Sequence, residues 1–291
     1  MATDIDKVYI STFERTLRHL AQQAITRLRP FVTERSGEGK DHAWERLSAS
    51  TSTSKAAGLV ATPSTGGTYS RRLSIAATEH AGDTTQQEDI VQMLIDPNSN
   101  QAMSLAMAIR RAWDTAILAA ATGAATDGDG AAVAFDTANQ QIAPGSAITF
   151  DLITQVQEKF LENDIELDVP KVFVIGPKQV RKLMQLTEQT SADYVHRESL
   201  QRLSTTGIVP NWMGFTWVMS TLLNITAGTP DTIDCVAFTK RGLGMQVNRE
   251  MLVRVAEDPT NSFAWRIYCA TTFGIVRTED EHVVWLQVQN T

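Results

Sequence analysis

The chain has no run of roughly 18 to 20 apolar residues, the length a helix needs to cross a bilayer, and its first residues lack the apolar core of a secretory signal. Synthesis and use in the cytosol are therefore expected, with Met1 as the start of translation. Cysteine is scarce. Cys235 and Cys269 stand in apolar, strand-like runs and form no Cys-x-x-Cys pair, so they read as buried reduced thiols and not as a disulfide framework. The five histidines (His19, His42, His80, His196 and His282) show none of the paired spacing that a zinc site needs. There is no Gly-x-Ser-x-Gly elbow to expose a nucleophile. Gly37-Glu38-Gly39-Lys40 is too short for a phosphate loop and follows no strand. Asp127-Gly128-Asp129-Gly130 lacks the later ligands and closing Glu of a calcium loop, and reads as a turn; Glu279, Asp280 and Glu281 read as a second, solvated turn. No catalytic, cofactor-binding or metal residue is assigned, no cofactor is expected, and the chain is not expected to be an enzyme. An excess of positive charge is also missing. With 26 basic against 33 acidic residues the net charge is −7, which excludes a global affinity for nucleic acid or anionic membranes and leaves only local, nonspecific DNA contacts.

What is present is a folded protein of 291 residues, 43% hydrophobic, enough for one large core or two smaller ones. Its basic residues are 18 Arg and 8 Lys, and Arg suits bidentate pairing at interfaces. Tyr9, Ile10, Phe13, Leu17, Leu20, Ala24 and Leu28 recur three and four apart, the pattern of an amphipathic helix stopped by Pro30, which packs either on its own domain or on a partner. Residues 36–70 are rich in Ser, Thr, Gly and Ala and cannot build a core of their own. Arg71–Ala76 then reads as a strand, which makes an extended hairpin with its tip in the polar stretch. A helix is expected from Asp96-Pro97, capped by Asn98 or Ser99, to Gly123, with an apolar stripe through Leu105, Ile109, Trp113 and Ile117. At about 1.5 Å per residue it spans on the order of 35 Å. Inside it, Asp114 sits at helical spacing from Arg110 and Arg111, placed to pair with them or to reach another subunit. Further on come a helix from Phe150, a buried strand in KVFVIGP, a helix from Pro177 to about Leu186, and a strand-rich last third. No period repeats, and the fold class is α+β in two interwoven lobes.

The ordered combination of parts resembles the major capsid proteins of tailed bacteriophages with the Hong Kong 97-type fold. The likeness is carried by YISTFERTLRHLAQQAITRLRPFV, by Trp44 to Leu47, by Arg71-Arg72, Glu88-Asp89 and Asp96-Pro97, by RRAWDTAILAAATG, KVFVIGP and MGFTWVMS, and by FGIVRTEDEHVVWLQV near the end. It covers nearly the whole chain, although no single motif is as specific as a catalytic signature.

The resemblance implies an N-terminal arm at 1–40, an extended loop at 41–80, a peripheral domain at 81–145 with spine helix 97–122, an axial domain at 146–255, and a return to the peripheral domain at 256–291. It implies a homo-oligomer of pentamers and hexamers enclosing double-stranded DNA, with a portal and a scaffold or decoration protein as partners, no membrane, and the virion as location. Candidate intersubunit contacts are Phe13, Leu17, Leu20, Lys55, Arg71, Arg72, Arg110 and Asp114. Some such shells are locked by a Lys–Asn isopeptide bond; Lys55 and Asn248 fall in corresponding regions but match no motif. With no scaffold-length segment ahead of the arm, a separately encoded scaffold is expected. The alternatives are an encapsulin-type compartment shell, distinguished by a cargo peptide and DNA-free particles, and a soluble enzyme whose site assembles from distant residues, distinguished by a small oligomer with a polar pocket.

Overall fold

A computed structural model describes residues 22–55, 58, 61–86, 97–166, 168–185 and 197–291. In chain order its elements are β1 (Thr33–Ser36), β2 (Asp41–Leu47), β3 (Tyr69–Ile75), β4 (Ala77–Thr85), α1 (Pro97–Thr122), β5 (Ala125–Asp127), β6 (Ala132–Val133), α2 (Thr137–Gln140), β7 (Gln141–Ile142), α3 (Phe150–Glu162), β8 (Lys171–Ile175), α4 (Pro177–Met184), α5 (Arg197–Thr206), β9 (Ile208–Trp212), β10 (Phe215–Met219), β11 (Ile225–Thr226), β12 (Thr232–Thr239), β13 (Leu243–Asp258), β14 (Ala264–Arg277) and β15 (Val283–Gln289). They divide into two units, each discontinuous in sequence.

The larger unit, built from Thr26–Thr78, Ala112–Glu250 and Thr272–Thr291, holds a seven-stranded sheet whose main path is β7-β15-β12-β8-β10-β9, with β11 on β12. Every residue of β8 is buried, as its unbroken β-branched and aromatic run requires of a central strand. β8 runs parallel to β10 and antiparallel to β12. α3 starts where the Thr149 hydroxyl accepts from the Leu152 N–H at 3.3 Å, and it buries Leu152, Ile153, Val156 and Phe160, the i, i+1, i+4, i+8 face its spacing dictates. The aromatic core is tight: Trp217 lies 4.6 Å from Phe173 and 4.7 Å from Trp212, and its indole N–H donates to the Trp212 carbonyl at 2.8 Å. Cys235 and Cys269 are free and buried, and burial pushes the Cys235 thiol up to about 12.

β2 and β3 form the expected hairpin, registered from Asp41 opposite Ile75 to Leu47 opposite Tyr69. Its far end opens into residues 48–68, whose described members are mostly exposed. β5 and β6 extend the sheet beyond β3, joined by the Asp127–Gly130 turn, where Gly130 takes a left-handed φ of 82°. That stretch is a turn, as its composition predicts.

In the smaller unit, the described parts of Glu79–Arg111 and Met251–Thr271 bring the ends of β4, β13 and β14 into one sheet, ordered β13-β14-β4. His80 stacks on Tyr268, and the Thr85 hydroxyl donates to the Gln101 side-chain oxygen at 2.7 Å. Asp258 holds the turn between β13 and β14 by accepting from the backbone and hydroxyl of Thr260 and from Asn261.

Two expectations are corrected. The N-terminal helix was to run to Pro30, but residues 22–28 are irregular and Pro30 sits inside a 3-10 turn, Arg29–Phe31; the positions from Tyr9 to Ala21 lie outside the described residues. The long helix starts at Pro97 itself, where a missing N–H costs nothing, and not after an Asn98 or Ser99 cap. Its 26 residues give a length of about 39 Å.

Candidate assembly interface

Along α1 the buried positions Ile109, Trp113, Ile117 and Ala121 fall four apart. Asp114, next to that stripe, is only 1% exposed. Its carboxylate accepts from the Thr26 hydroxyl at 2.6 Å, the Arg27 N–H at 2.9 Å and the Leu28 N–H at 3.2 Å. Those three bonds explain why residues 26–28 are not helical: the N–H groups of residues 27 and 28 are claimed from outside. Immediately after, the Arg29 guanidinium lies 4.5 Å above the Trp113 ring and makes paired bonds to both Glu34 and Glu250. The hydrogen bond from Arg29 holds the Glu250 carboxyl below its ordinary range, and the two carboxylates push the Arg29 pKa further up. The segment where the chain leaves residue 25 is thus riveted to the larger unit.

A second rivet closes the C-terminal end of α1. Arg277 is fully buried and donates to the carbonyls of Ala121 and Gly123, which end the helix, and to Ala134 at 3.3 Å, while its charge lies over the Phe135 ring at 4.9 Å. Asp280 accepts from Arg277 and, at 3.1 Å, from Arg72. Glu279 pairs with His282 at 2.9 Å and is lowered mainly by that hydrogen bond. The acidic run 279–281 is therefore not a solvated turn: two of its carboxylates tie down basic side chains.

These placements sort the candidate contacts. Arg72 and Asp114 belong to the interior of their own subunit. Arg72 is 6% exposed and holds Asp280, with its Nε and Nη1 lacking a partner among the described residues. Arg110 donates to the Ala24 carbonyl at 2.8 Å. Arg71 stays on the surface, 3.3 Å from Glu45 across the hairpin. Lys55 is exposed in the loop, and Asn248 donates to the Gly39 carbonyl at 2.5 Å. Phe13, Leu17 and Leu20 lie outside the described residues.

What the sequence reading missed is the apolar pair at the mouth of the loop. Leu47 and Tyr69 face each other as the last register pair of β2 and β3, 57% and 79% exposed. The signal was present, since one large apolar residue flanks each end of the polar stretch. In the smaller unit Ile25, Met103, Val253 and Val255 are likewise exposed. Val253 and Val255 are two apart on one strand and so share one face. Exposed apolar side chains that stand side by side, as Leu47 and Tyr69 do, are the kind of group that a protein contact buries. Among the described residues no group of three or more His, Cys, Asp or Glu could hold a metal ion, and no helix is long and apolar enough to cross a membrane.

The comparisons with known proteins agree with that reading. Residues 5–290 match the family described as phage capsid protein. By sequence, no curated protein matches. Among solved structures, the capsid of cyanophage P-SCSP1u superposes with a TM-score of 0.76 at 16% identity, covering 100% of this chain and 96% of that one. A chain of Mycobacterium phage Che8 gives 0.73 at 18% identity over 96% of both. The head of Helicobacter pylori bacteriophage KHP40 gives 0.72 at 8% identity over 100% and 98%. At such identities the likeness establishes the fold.

Proposed function

Because the chain belongs to the phage capsid protein family, we propose that it is the major capsid protein of a tailed phage, whose copies pack into the icosahedral head around double-stranded DNA. The observation that carries this reading is the hairpin: a two-stranded projection with an exposed Leu47–Tyr69 pair, opening into residues 48–68, whose described members are mostly exposed. Backbone groups in such a loop find lasting partners on another surface, and the most abundant surface in an assembling shell is the next copy.

The same reading divides the chain into arm (1–40), extended loop (41–80), peripheral domain (81–145), axial domain (146–255) and return (256–291). It makes pentamers and hexamers the working units. Each heterologous contact is weak, and ring closure adds them cooperatively. Portal and scaffold or decoration proteins are the further partners, and DNA is met through dispersed Arg side chains without sequence preference. The role is structural and its place is the virion.

Electron microscopy of the purified full chain, beside a variant with residues 51–66 replaced by a short Gly-Ser turn, tests this. The parent forms capsomers or shells; the variant melts at the parental temperature but forms neither. A parent that stays a small discrete oligomer under all assembly conditions, or a variant that assembles as the parent does, overturns the reading.

A further inference from the structure

We propose that Gly37, Gly244 and Gly274 form a cradle that sets the direction of the β2–β3 hairpin within its own subunit, so that these positions and Trp44 determine the angle at which successive subunits meet. The proposal rests on the reading that the hairpin reaches a neighbouring copy.

The cradle is built from approaches too close for a side chain. A Cβ at Gly244 would lie 2.6, 2.7 and 2.8 Å from three atoms of the Trp44 indole, so the ring of β2 rests directly on the backbone of β13. At Gly274, a Cβ would meet the Ile75 carbonyl oxygen at 2.5 Å and its carbon at 2.7 Å, which means β14 presses on the peptide where β3 passes into β4. One at Gly37 would meet the Gln246 amide at 2.8 Å. A backbone carbonyl and a two-ring side chain are not flexible ends that swing aside, so only glycine permits the contacts at Gly244 and Gly274, while at Gly37 the neighbour is a side-chain amide that its own hydrogen bonds hold in place.

Hydrogen bonds then lock the root laterally. The Trp44 indole N–H donates to the Ser74 hydroxyl at 3.1 Å, and that hydroxyl donates to the Gln246 side-chain oxygen at 3.2 Å. Gln246 in turn donates to the Gly39 carbonyl at 3.1 Å, and the Ala76 N–H closes the root by donating to the Lys40 carbonyl at 2.8 Å. Ser74 and Gln246 are fully buried. The root of the hairpin is therefore fixed on two sides by packing and on a third by a buried polar chain. Beyond Leu47 and Tyr69 the two strands bond to each other, the Thr68 N–H donating to the Ser48 hydroxyl at 2.8 Å and the Ser48 N–H to the Thr68 carbonyl at 3.0 Å, while both apolar side chains stay exposed. A projection held at its root and open at its tip carries the root's angle outward, where a small rotation becomes a large displacement.

The test compares Gly244→Ala and Gly274→Ala with the parent in the full chain, reading shell diameter by electron microscopy and hydrogen exchange of the unassembled subunit. Each variant is expected to exchange faster at 41–47 and 69–75 while β8 and β12 stay protected. Each is also expected to need about tenfold more protein for half-assembly or to give shells of mixed diameter. Uniform shells of parental diameter at parental concentration would overturn the proposal. Should Gly244→Ala lose protection in β8 and β12 as well, Trp44→Leu puts the same question by removing the ring: mixed diameters support the cradle, and uniform parental shells refute it. The shortened-loop variant separates the two readings. If it still assembles, the hairpin does not serve a neighbour and the earlier reading fails; if it does not assemble while the glycine variants do so normally, only the cradle fails.

Discussion

Asp114 shows how much one side chain in the middle of a helix decides. Its carboxylate satisfies two backbone N–H groups and a hydroxyl from a segment more than 80 residues away. Asp114→Ala leaves the Arg27 and Leu28 N–H groups without that acceptor in a buried setting, and should lower stability by about 2 to 4 kcal/mol, measured as a shift of the urea midpoint at constant slope. The sequence made Asp114 visible as a polar residue beside an apolar stripe, but not its partners, because nothing local links position 114 to position 27. Glu279 makes a prediction about pH. Its pKa lies below the ordinary 4.5, chiefly through the hydrogen bond from His282, so the folded state holds the charged form more firmly than the unfolded chain does. That contribution is complete above pH 4.5 and disappears as the pH falls through the lowered value. Glu279→Gln should therefore flatten the loss of stability between neutral and acid pH; urea midpoints for parent and variant that fall in parallel across that range would contradict it.

Among the elements, α1 was the most legible: a stretch without Gly or Pro between Pro97 and Gly123, with an apolar residue at nearly every fourth position, has few other ways to fold. Its end was not legible. Gly123 announces a stop, but the group that satisfies the last carbonyls is Arg277, which arrives from β14. Arg277→Met removes that cap and leaves Asp280 to Arg72 alone. We expect a loss of about 3 kcal/mol and faster amide exchange in the last turn of α1, with little change in α3. The hairpin was readable for a different reason. A segment too polar to build a core, followed by a strand, leaves few options except a projection, and β2 and β3 form one. Residues 22–28 do not continue the helical periodicity that runs through Ala24 and Leu28, because the groups that hold Thr26, Arg27 and Leu28 are distant in sequence.

At the scale of the whole molecule, the class of fold and most strands of the last third followed from alternation and turn residues, whereas the pairing order β7-β15-β12-β8-β10-β9 did not. That order depends on which buried strand lies beside which, and several runs are equally apolar. The same holds for the ion pairs: Arg72, Arg277 and Asp280 meet only because the hairpin sheet, β14 and the turn before β15 converge. Composition did not indicate the role; the ordered combination of parts along nearly the whole chain did, and the family match over residues 5–290 agrees with it.

The two cysteines give that construction a chemical lifetime. A phage head that meets an oxidising medium has no repair machinery of its own. Cys235 is fully buried within β12, where burial pushes its thiol up to about 12, and burial likewise raises the Cys269 thiol. Thiols that are held protonated and kept from solvent are poor partners for exchange and oxidation, so neither cysteine offers the shell a reactive group.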